Sequence, residues 1–166
     1  MTRLQFSPLS LVVNMQVLIQ EMDFDLPTEL AILRASNKSI GALVSFVGLV
    51  RDFSGDQAIE NIYLEHYPGM SEKALGKILR EATARWHLLG VRVIHRVGKL
   101  LPNEQIVLVA TAASHRGEAF AACEFIIDYL KTDAPFWKRE QTRAGTHWLE
   151  TRESDTQRMR HWQEQE

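Results

Sequence analysis

The sequence predicts a single α+β domain with a largely antiparallel sheet and helices packed on one side of it. Hydrophobic residues make up 45% and charged residues 24% of the 166-residue chain, which is ordinary for a globular domain with a core. Two long amphipathic helical segments and several strand segments are visible, without repeats or a linker. The strand segments come as hairpin-like neighbours rather than in strict alternation with helices, which favours antiparallel pairing.

The first half of the chain predicts one helix and three strands. We expect a short strand over residues 17–22 and a helix over residues 27–35, where a proline suits the first turn. Residues 40–50 form a nearly continuous apolar run, typical of a strand buried on both faces. Residues 59–67 alternate and predict a half-exposed strand, and residues 52–56 predict a mobile loop before it.

The second half predicts two helices and further strands. The clearest helix covers residues 70–86, and strands follow at residues 91–97 and 104–113. A second helix is expected over residues 116–132, and its core stripe should comprise Phe120, Cys123, Ile127 and Leu130. Short strands around a glycine turn are expected over residues 136–150.

The sequence divides into an extension, a domain and a tail. We expect residues 1–15 to be an extension outside the fold, with Met15 as an alternative start. Residues 16–152 should be the domain, and residues 153–166 a charged tail that is helical at most.

Composition limits the classes of function that the chain can have. The net charge of −2 argues against a broad nucleic-acid surface, and no apolar run approaches the ~20 residues that span a bilayer. The single cysteine, Cys123, predicts an inert core thiol and a reducing, cytoplasmic location. The six histidines show no metal-ligand spacing, so no metal site is expected.

A lysine pair is the most informative feature of the chain. Lys131 and Lys138 flank Pro135, which cannot continue a helix and so ends the one that carries Lys131. Aromatic residues 136–137 lie between the lysines and either line a channel or belong to the core. A lysine beside apolar walls and other cations can act as acid, base or nucleophile near neutral pH. The alternative is a pair of ordinary surface lysines.

A second basic cluster marks a predicted anion site. His115 and Arg116 lie where a buried strand hands over to a helix, whose free N–H groups favour an anion. Arg51 follows another buried strand. Taken singly, His115 could cap the helix and Arg51 could form a surface ion pair. Together with the lysine pair, these cations would form a positive pocket that suits a small phosphorylated substrate.

Three interpretations of such a pocket are open at this point. It could belong to an enzyme that works by proton transfer, to a non-catalytic module that captures a phosphorylated metabolite, or to a lysine enzyme that forms a Schiff base with a carbonyl substrate. Borohydride would trap the Schiff base, and the binding module would form no product.

Three runs of residues together resemble the large, catalytic subunit of molybdopterin synthase. They are residues 64–70 (LEHYPGM), 114–116 (SHR) and 128–140 (DYLKTDAPFWKRE). Their order and spacing agree with that family from about residue 41 to beyond residue 152. The resemblance implies an α/β hammerhead fold combined with a further antiparallel α+β part.

The resemblance also implies a sulfurtransferase of molybdenum cofactor biosynthesis, which converts cyclic pyranopterin monophosphate to molybdopterin. In that family, sulfur arrives as a thiocarboxylate on the C-terminal Gly-Gly of a small ubiquitin-like carrier subunit. Two large subunits form a homodimer at the centre of a heterotetramer. No cofactor or metal is expected, because the partner supplies the sulfur and activation by ATP happens elsewhere.

The resemblance, carried over by position, implies a set of substrate-binding residues: Arg51, His115, Arg116, Lys131, Lys138, Arg139 and Glu140. Lys131 is the leading catalytic candidate, and Lys138 is its helper. This chain departs from the family pattern at Leu49, where a basic residue is frequent, and in a shorter loop at residues 52–57. Both departures bear on the contacts around Arg51.

Overall fold

The computed structural model describes residues 13–164 and forms four helices and nine strands within that range. The helices are α1 (Leu26–Ala35), α2 (Met70–Trp86), α3 (Arg116–Thr132) and α4 (Glu153–Gln163). The strands are β1 (Asn14–Gln20), β2 (Ala42–Leu49), β3 (Phe53–Ser54), β4 (Gln57–His66), β5 (Gly90–Arg96), β6 (Gly98–Leu100), β7 (Gln105–Ala113), β8 (Phe136–Thr142) and β9 (Gly145–Leu149). The predicted α+β class is confirmed.

The strands form two sheets rather than one. The first sheet has the order β1-β5-β7-β2, in which β1 and β5 are parallel and the other neighbours are antiparallel. The second has the order β3-β4-β8-β9, with β6 also paired to β4, and all its pairs are antiparallel. The chain passes from the first sheet to the second at Gly98, whose φ of +81° suits a glycine. A seam between the two sheets results.

The expectation that the helices lie on one side of the sheet is wrong. Helices α2 and α3 pack on one face of the first sheet, where Val91, Val93 and Val109 join their core. Helix α1 covers the opposite face, where its Leu33 packs with Ile94 of β5 and with apolar residues of β7. The physical reason is that side chains on both faces of β5 and β7 are buried, including Arg92, which pairs with Glu29 of α1, so each face requires a cover.

The segment expected to be a mobile loop forms a short hairpin. Within it, Phe53 and Ser54 pair with Ala58 and Gln57, around a turn in which Gly55 has a φ of +61°. The alternation predicted for the following strand is confirmed, because Ile62 and Leu64 are buried whereas Tyr63 is exposed.

Both ends of the described chain take part in the fold. Strand β1 begins at Asn14, so residues 14 and 15 of the expected extension pair with β5, and residues 1–12 lie outside the described range. The charged tail forms α4, which packs on α3 through the buried Trp162. Asp128 of α3 accepts hydrogen bonds from Trp162 Nε1 and Arg158 Nε, both at 2.9 Å. These contacts fix α4 against α3.

One residue assigned to the core stripe of α3 lies outside the core. The Phe120 side chain is 62% exposed, whereas Cys123 and Leu130 are buried as predicted. Phe125, which the predicted stripe omitted, is fully buried and packs edge-on against Trp86 and Trp162. Helices α2 and α4 both pack on α3, so its buried face is wider than one stripe and is shifted from the predicted one.

These two phenylalanines on one helix provide a matched test of the packing. Phe125→Ala should lower the free energy of unfolding by about 3–5 kcal/mol, because it opens a cavity between three helices. Phe120→Ala should change it by less than about 0.5 kcal/mol, because that side chain is mostly exposed. Urea denaturation at one fixed protein concentration measures both values, and equal losses in the two variants would contradict this packing.

Candidate active site

A cavity of about 500 Å³ opens at the seam between the two sheets, beside the C-terminal end of α3. One part of its lining is basic and comprises Arg51, Lys131, Lys138 and Arg152. Another part is apolar and comprises Leu64, Ile106, Val107, Ile127, Leu130 and Phe136. Such a combination suits a ligand that has a flat apolar body and an anionic group.

The chain brings the two lysines together through a short corner. Helix α3 ends at Thr132, where the backbone N–H of Asp133 still donates to Tyr129 O, and Pro135 prevents its continuation. Strand β8 begins at Phe136, so Lys131 in the last helical turn and Lys138 in the strand line the same cavity. The predicted helix end and the predicted proximity of these lysines are both present in the structure.

Lys138 is a half-buried cation in a basic environment. Burial lowers its pKa below the ordinary value for lysine, and the positive charges of Arg51 and Arg152 lower it further. The carboxylate of Glu140 opposes this shift, with Oε1 at 3.6 Å from Lys138 Nζ. Glu140 itself is only 3% exposed, and its Oε1 accepts no hydrogen bond from residues 13–164. The buried carboxylate therefore holds Lys138 in place across a gap slightly longer than a hydrogen bond.

Lys131 differs from Lys138 in its surroundings. It is an exposed residue on the cavity wall. Glu150 and Asp155 line the same cavity, but the ion pairs of the described residues include none with Lys131. Its position in the last turn of α3 is favourable for a cation, because the carbonyl end of a helix carries partial negative charge. The Lys131 amine is thus free to engage a ligand.

Arg139 points away from this cavity. Alternation along β8 puts residues 136, 138 and 140 on one face and residues 137 and 139 on the other. The Arg139 guanidinium lies 5.1 Å from the centroid of the Tyr63 ring and 5.4 Å from that of Trp148. Trp137 lies on the same outer face and is 46% exposed, so it belongs neither to the core nor to the cavity lining.

His115 and Arg116 are at the far end of α3 from Lys131. The 15 helical steps between Arg116 and Lys131 correspond to about 22 Å. The pairing of β2 with β7 also puts His115 and Arg51 at opposite ends of these strands. Ala42 pairs with Ala113, which is close to His115, whereas Leu49, which is close to Arg51, pairs with Gln105. Both residues are exposed at the start of α3. Within one chain, His115 and Arg116 are therefore separate from the cavity that Arg51 shares with the two lysines, and the predicted single pocket of all five residues is not formed.

Two cavity residues were missed by the sequence interpretation. Arg152 precedes α4 and is the last residue of the predicted domain, with no predicted role in a site. The packing of α4 on α3 brings it to the cavity. His95 lies on β5 beside Arg96, and no spacing in the sequence distinguishes it as a cavity residue. It is 5% exposed.

Residues 13–164 contain no group of three His, Cys, Asp or Glu side chains that could hold a metal ion. No helix within them is long and apolar enough to cross a membrane. Cys123 is buried, and burial raises the pKa of its thiol to about 11.

Comparison with known proteins identifies similar chains over most of the length. The sequence profile of the family described as MoaE protein matches residues 19–133. The "Molybdopterin synthase catalytic subunit" of Ralstonia nicotianae is 56% identical over 144 residues, which cover 87% of this chain and 82% of that relative.

Solved structures agree with the fold. The "Molybdopterin biosynthesis MoaE protein" of Burkholderia ambifaria is 53% identical and matches with a TM-score of 0.77, covering 91% of this chain and 98% of its own. A chain from the Helicobacter pylori "Protein-protein complex of subunit 1 and 2 of Molybdopterin-converting factor" matches with a TM-score of 0.66 at 21% identity, covering 83% and 91%. The latter similarity shows the fold alone.

Removing the charged neighbours of Lys138 one at a time should shift its pKa in opposite directions. Arg51→Gln should raise the pKa of Lys138, because a neighbouring positive charge is removed, and Glu140→Gln should lower it, because the opposing negative charge is lost. Titration of lysine side-chain resonances by NMR measures both shifts. Arg80→Gln removes an exposed charge on α2 as a control and should leave the pKa of Lys138 in place. Shifts of the same sign in the Arg51 and Glu140 variants would contradict the assignment.

Proposed function

The chain belongs to the MoaE protein family and is an enzyme of molybdopterin synthesis, and on that premise we propose that the basic cavity is its active site. The substrate would be cyclic pyranopterin monophosphate, and the product molybdopterin. The observation that carries the proposal is the convergence of Arg51, Lys131 and Lys138 on one cavity that also has apolar walls. The basic part would bind the cyclic phosphate, and the apolar part would hold the flat pterin.

The sulfur donor in this proposal is a small ubiquitin-like carrier whose C-terminal Gly-Gly ends in a thiocarboxylate. The family resemblance supports this partner, and so does the two-subunit complex named for the Helicobacter pylori neighbour. A Gly-Gly tail carries no side chains, so it would need only a narrow passage to reach Lys131 in the cavity lining. We also assign the reaction to the cytoplasm, since one cysteine in 166 residues favours a reducing compartment.

The chemistry needs a group that first gives and then takes a proton. The thiocarboxylate sulfur forms a bond to a carbon of the pterin side chain, and the carbon–oxygen bond at that carbon breaks. The departing oxygen takes a proton from the Lys131 ammonium. Water then attacks the acyl carbon and the acyl–sulfur bond breaks. The neutral Lys131 amine accepts one proton of the water, and the departing thiolate takes the other. Sulfur stays on the pterin, the carrier leaves as a carboxylate, and a second carrier repeats the cycle.

Lys131 is the better candidate for this role because its amine has no carboxylate partner in the described chain. Lys138 would instead hold the thiocarboxylate or the phosphate, fixed by Glu140 and close to Arg51. Its charge in this position would stabilise the anion that develops at the carbonyl oxygen.

His115 and Arg116 can join this site only from a second copy of the chain. About 22 Å of helix separates Arg116 from Lys131 within one subunit, which exceeds the reach of an arginine side chain. We therefore propose a homodimer in which the start of α3 from one copy lies against the cavity of the other. The heterotetramer follows when each copy binds one carrier.

Removal of the Lys131 amine should affect the chemical step. Lys131→Ala should lower kcat by about 10²–10⁴-fold, because general acid–base catalysis is lost, with a smaller change in KM for the pterin. Lys77→Ala, which removes an exposed lysine from α2, is the matched control and should keep the activity of the unaltered enzyme. Single-turnover formation of molybdopterin from thiocarboxylated carrier gives the rate, and near-normal turnover by Lys131→Ala would refute the role.

Mixing two defective variants tests the shared site. Arg116→Ala should mainly raise KM, and Lys131→Ala should mainly lower kcat. Each variant alone should therefore have low activity at low substrate concentration. Co-expressed in equal amounts, they should recover about one quarter of the normal activity, because half of the dimers are mixed and each mixed dimer has one intact site. Recovery that does not exceed the two variants measured separately would show that the site lies within one chain.

A further inference from the structure

His95 and the Phe136 ring form one part of the cavity lining, here called the floor, and His95 is held there by two contacts. Its ring stacks on Phe136 with centroids 3.8 Å apart and planes 11° apart. Its Nδ1 is 2.8 Å from the backbone oxygen of Arg96. The backbone of β5 is paired on both sides, with β1 and β7, so the position of the residue is fixed. His95 is therefore a rigid part of the cavity wall.

The contact with Arg96 decides the tautomer of this histidine. A carbonyl oxygen can only accept a hydrogen bond, so Nδ1 must carry the hydrogen. Burial lowers the pKa of His95 to about 4, which leaves the imidazole neutral near pH 7. A neutral ring with hydrogen on Nδ1 has an unprotonated Nε2, and that nitrogen is a hydrogen-bond acceptor.

The Nε2 atom has no partner within residues 13–164. Two buried side-chain atoms of this range are sealed from solvent without a partner, namely His66 Nδ1 and Glu140 Oε1. His95 Nε2 is not among these sealed atoms, and His95 lines the cavity, so Nε2 is accessible from within it. An acceptor in an otherwise apolar floor fits a ligand that presents an N–H group there.

We propose that His95 Nε2 accepts a hydrogen bond from a ring N–H or amino group of the pterin and so orients the heterocycle on the cavity floor. This inference rests on the function proposed above and assigns a recognition residue within that site. A flat heterocycle would lie beside the apolar walls, while its phosphate would reach the basic rim around Arg51. A ring that lacks a donor at this position would leave Nε2 without a partner, which gives the site a means of selection.

The two amide substitutions of histidine separate the hydrogen bond from packing. In His95→Gln, the longer side chain can present an amide oxygen near the Nε2 position. In His95→Asn, the shorter side chain reaches only the Nδ1 position and keeps the contact to Arg96. His66→Asn is the matched control, because His66 also neighbours Phe136 but does not line the cavity.

The experiment measures the affinity of each protein for cyclic pyranopterin monophosphate by anaerobic calorimetry without carrier. His95→Asn should bind about tenfold more weakly than the unaltered enzyme, and His95→Gln and His66→Asn should stay within about threefold. Equal losses in both His95 variants, or unchanged binding by His95→Asn, would overturn the proposal. So would a loss of affinity for the carrier alone, because Nε2 would then accept from the carrier tail. No pterin binding by the unaltered enzyme would instead overturn the proposed function itself.

A measurement on the unaltered protein covers the case in which His95→Asn does not fold. In ¹⁵N-histidine-labelled enzyme, the Nε2 resonance of His95 should move upfield when the pterin binds, in the direction that hydrogen bonding to an unprotonated ring nitrogen produces. A resonance that stays in place in the saturated complex would contradict the proposal.

Discussion

The three-residue corner between α3 and β8 is the constraint on which the cavity depends. Helix α3 cannot continue through Pro135, and the next strand must join the second sheet, so the chain turns at the seam between the sheets. Ser71 at the start of α2 donates a hydrogen bond to the backbone oxygen of Pro135, which secures the corner from outside. Lys131 and Lys138 are thereby placed on adjoining walls by backbone geometry, before any ligand is considered.

The electrostatics of the site follow from this geometry. The cavity lining combines four cationic side chains with the carboxylates of Glu150 and Asp155. Burial lowers the pKa of Lys138, and the positive charges of Arg51 and Arg152 lower it further. The buried Glu140 offsets this shift only in part, since its Oε1 is 3.6 Å away and accepts no hydrogen bond within the described residues. An anionic ligand would relieve the repulsion that remains. The electrostatics of the cavity thus favour an anionic ligand.

Local features of the site were predictable from the sequence, and features that depend on packing were not. The Lys131–Pro135–Lys138 arrangement follows from a helix stop and a strand period, both of which are short-range rules. The opposite faces of Lys138 and Arg139 follow from the same period. The distance between Arg116 and Lys131 follows from the length of the predicted helix over residues 116–132, which agrees with α3. The contributions of His95 and Arg152 depend on how the two sheets and α4 meet, and no local pattern encodes that meeting.

A structure of the enzyme with cyclic pyranopterin monophosphate bound would decide whether the seam cavity is the active site. We expect the pterin in the seam cavity, with Lys131 Nζ within about 3–4 Å of the side chain that receives sulfur and the phosphate in contact with Arg51. A pterin bound elsewhere on the protein, with both lysines out of its reach in every subunit, would contradict this expectation.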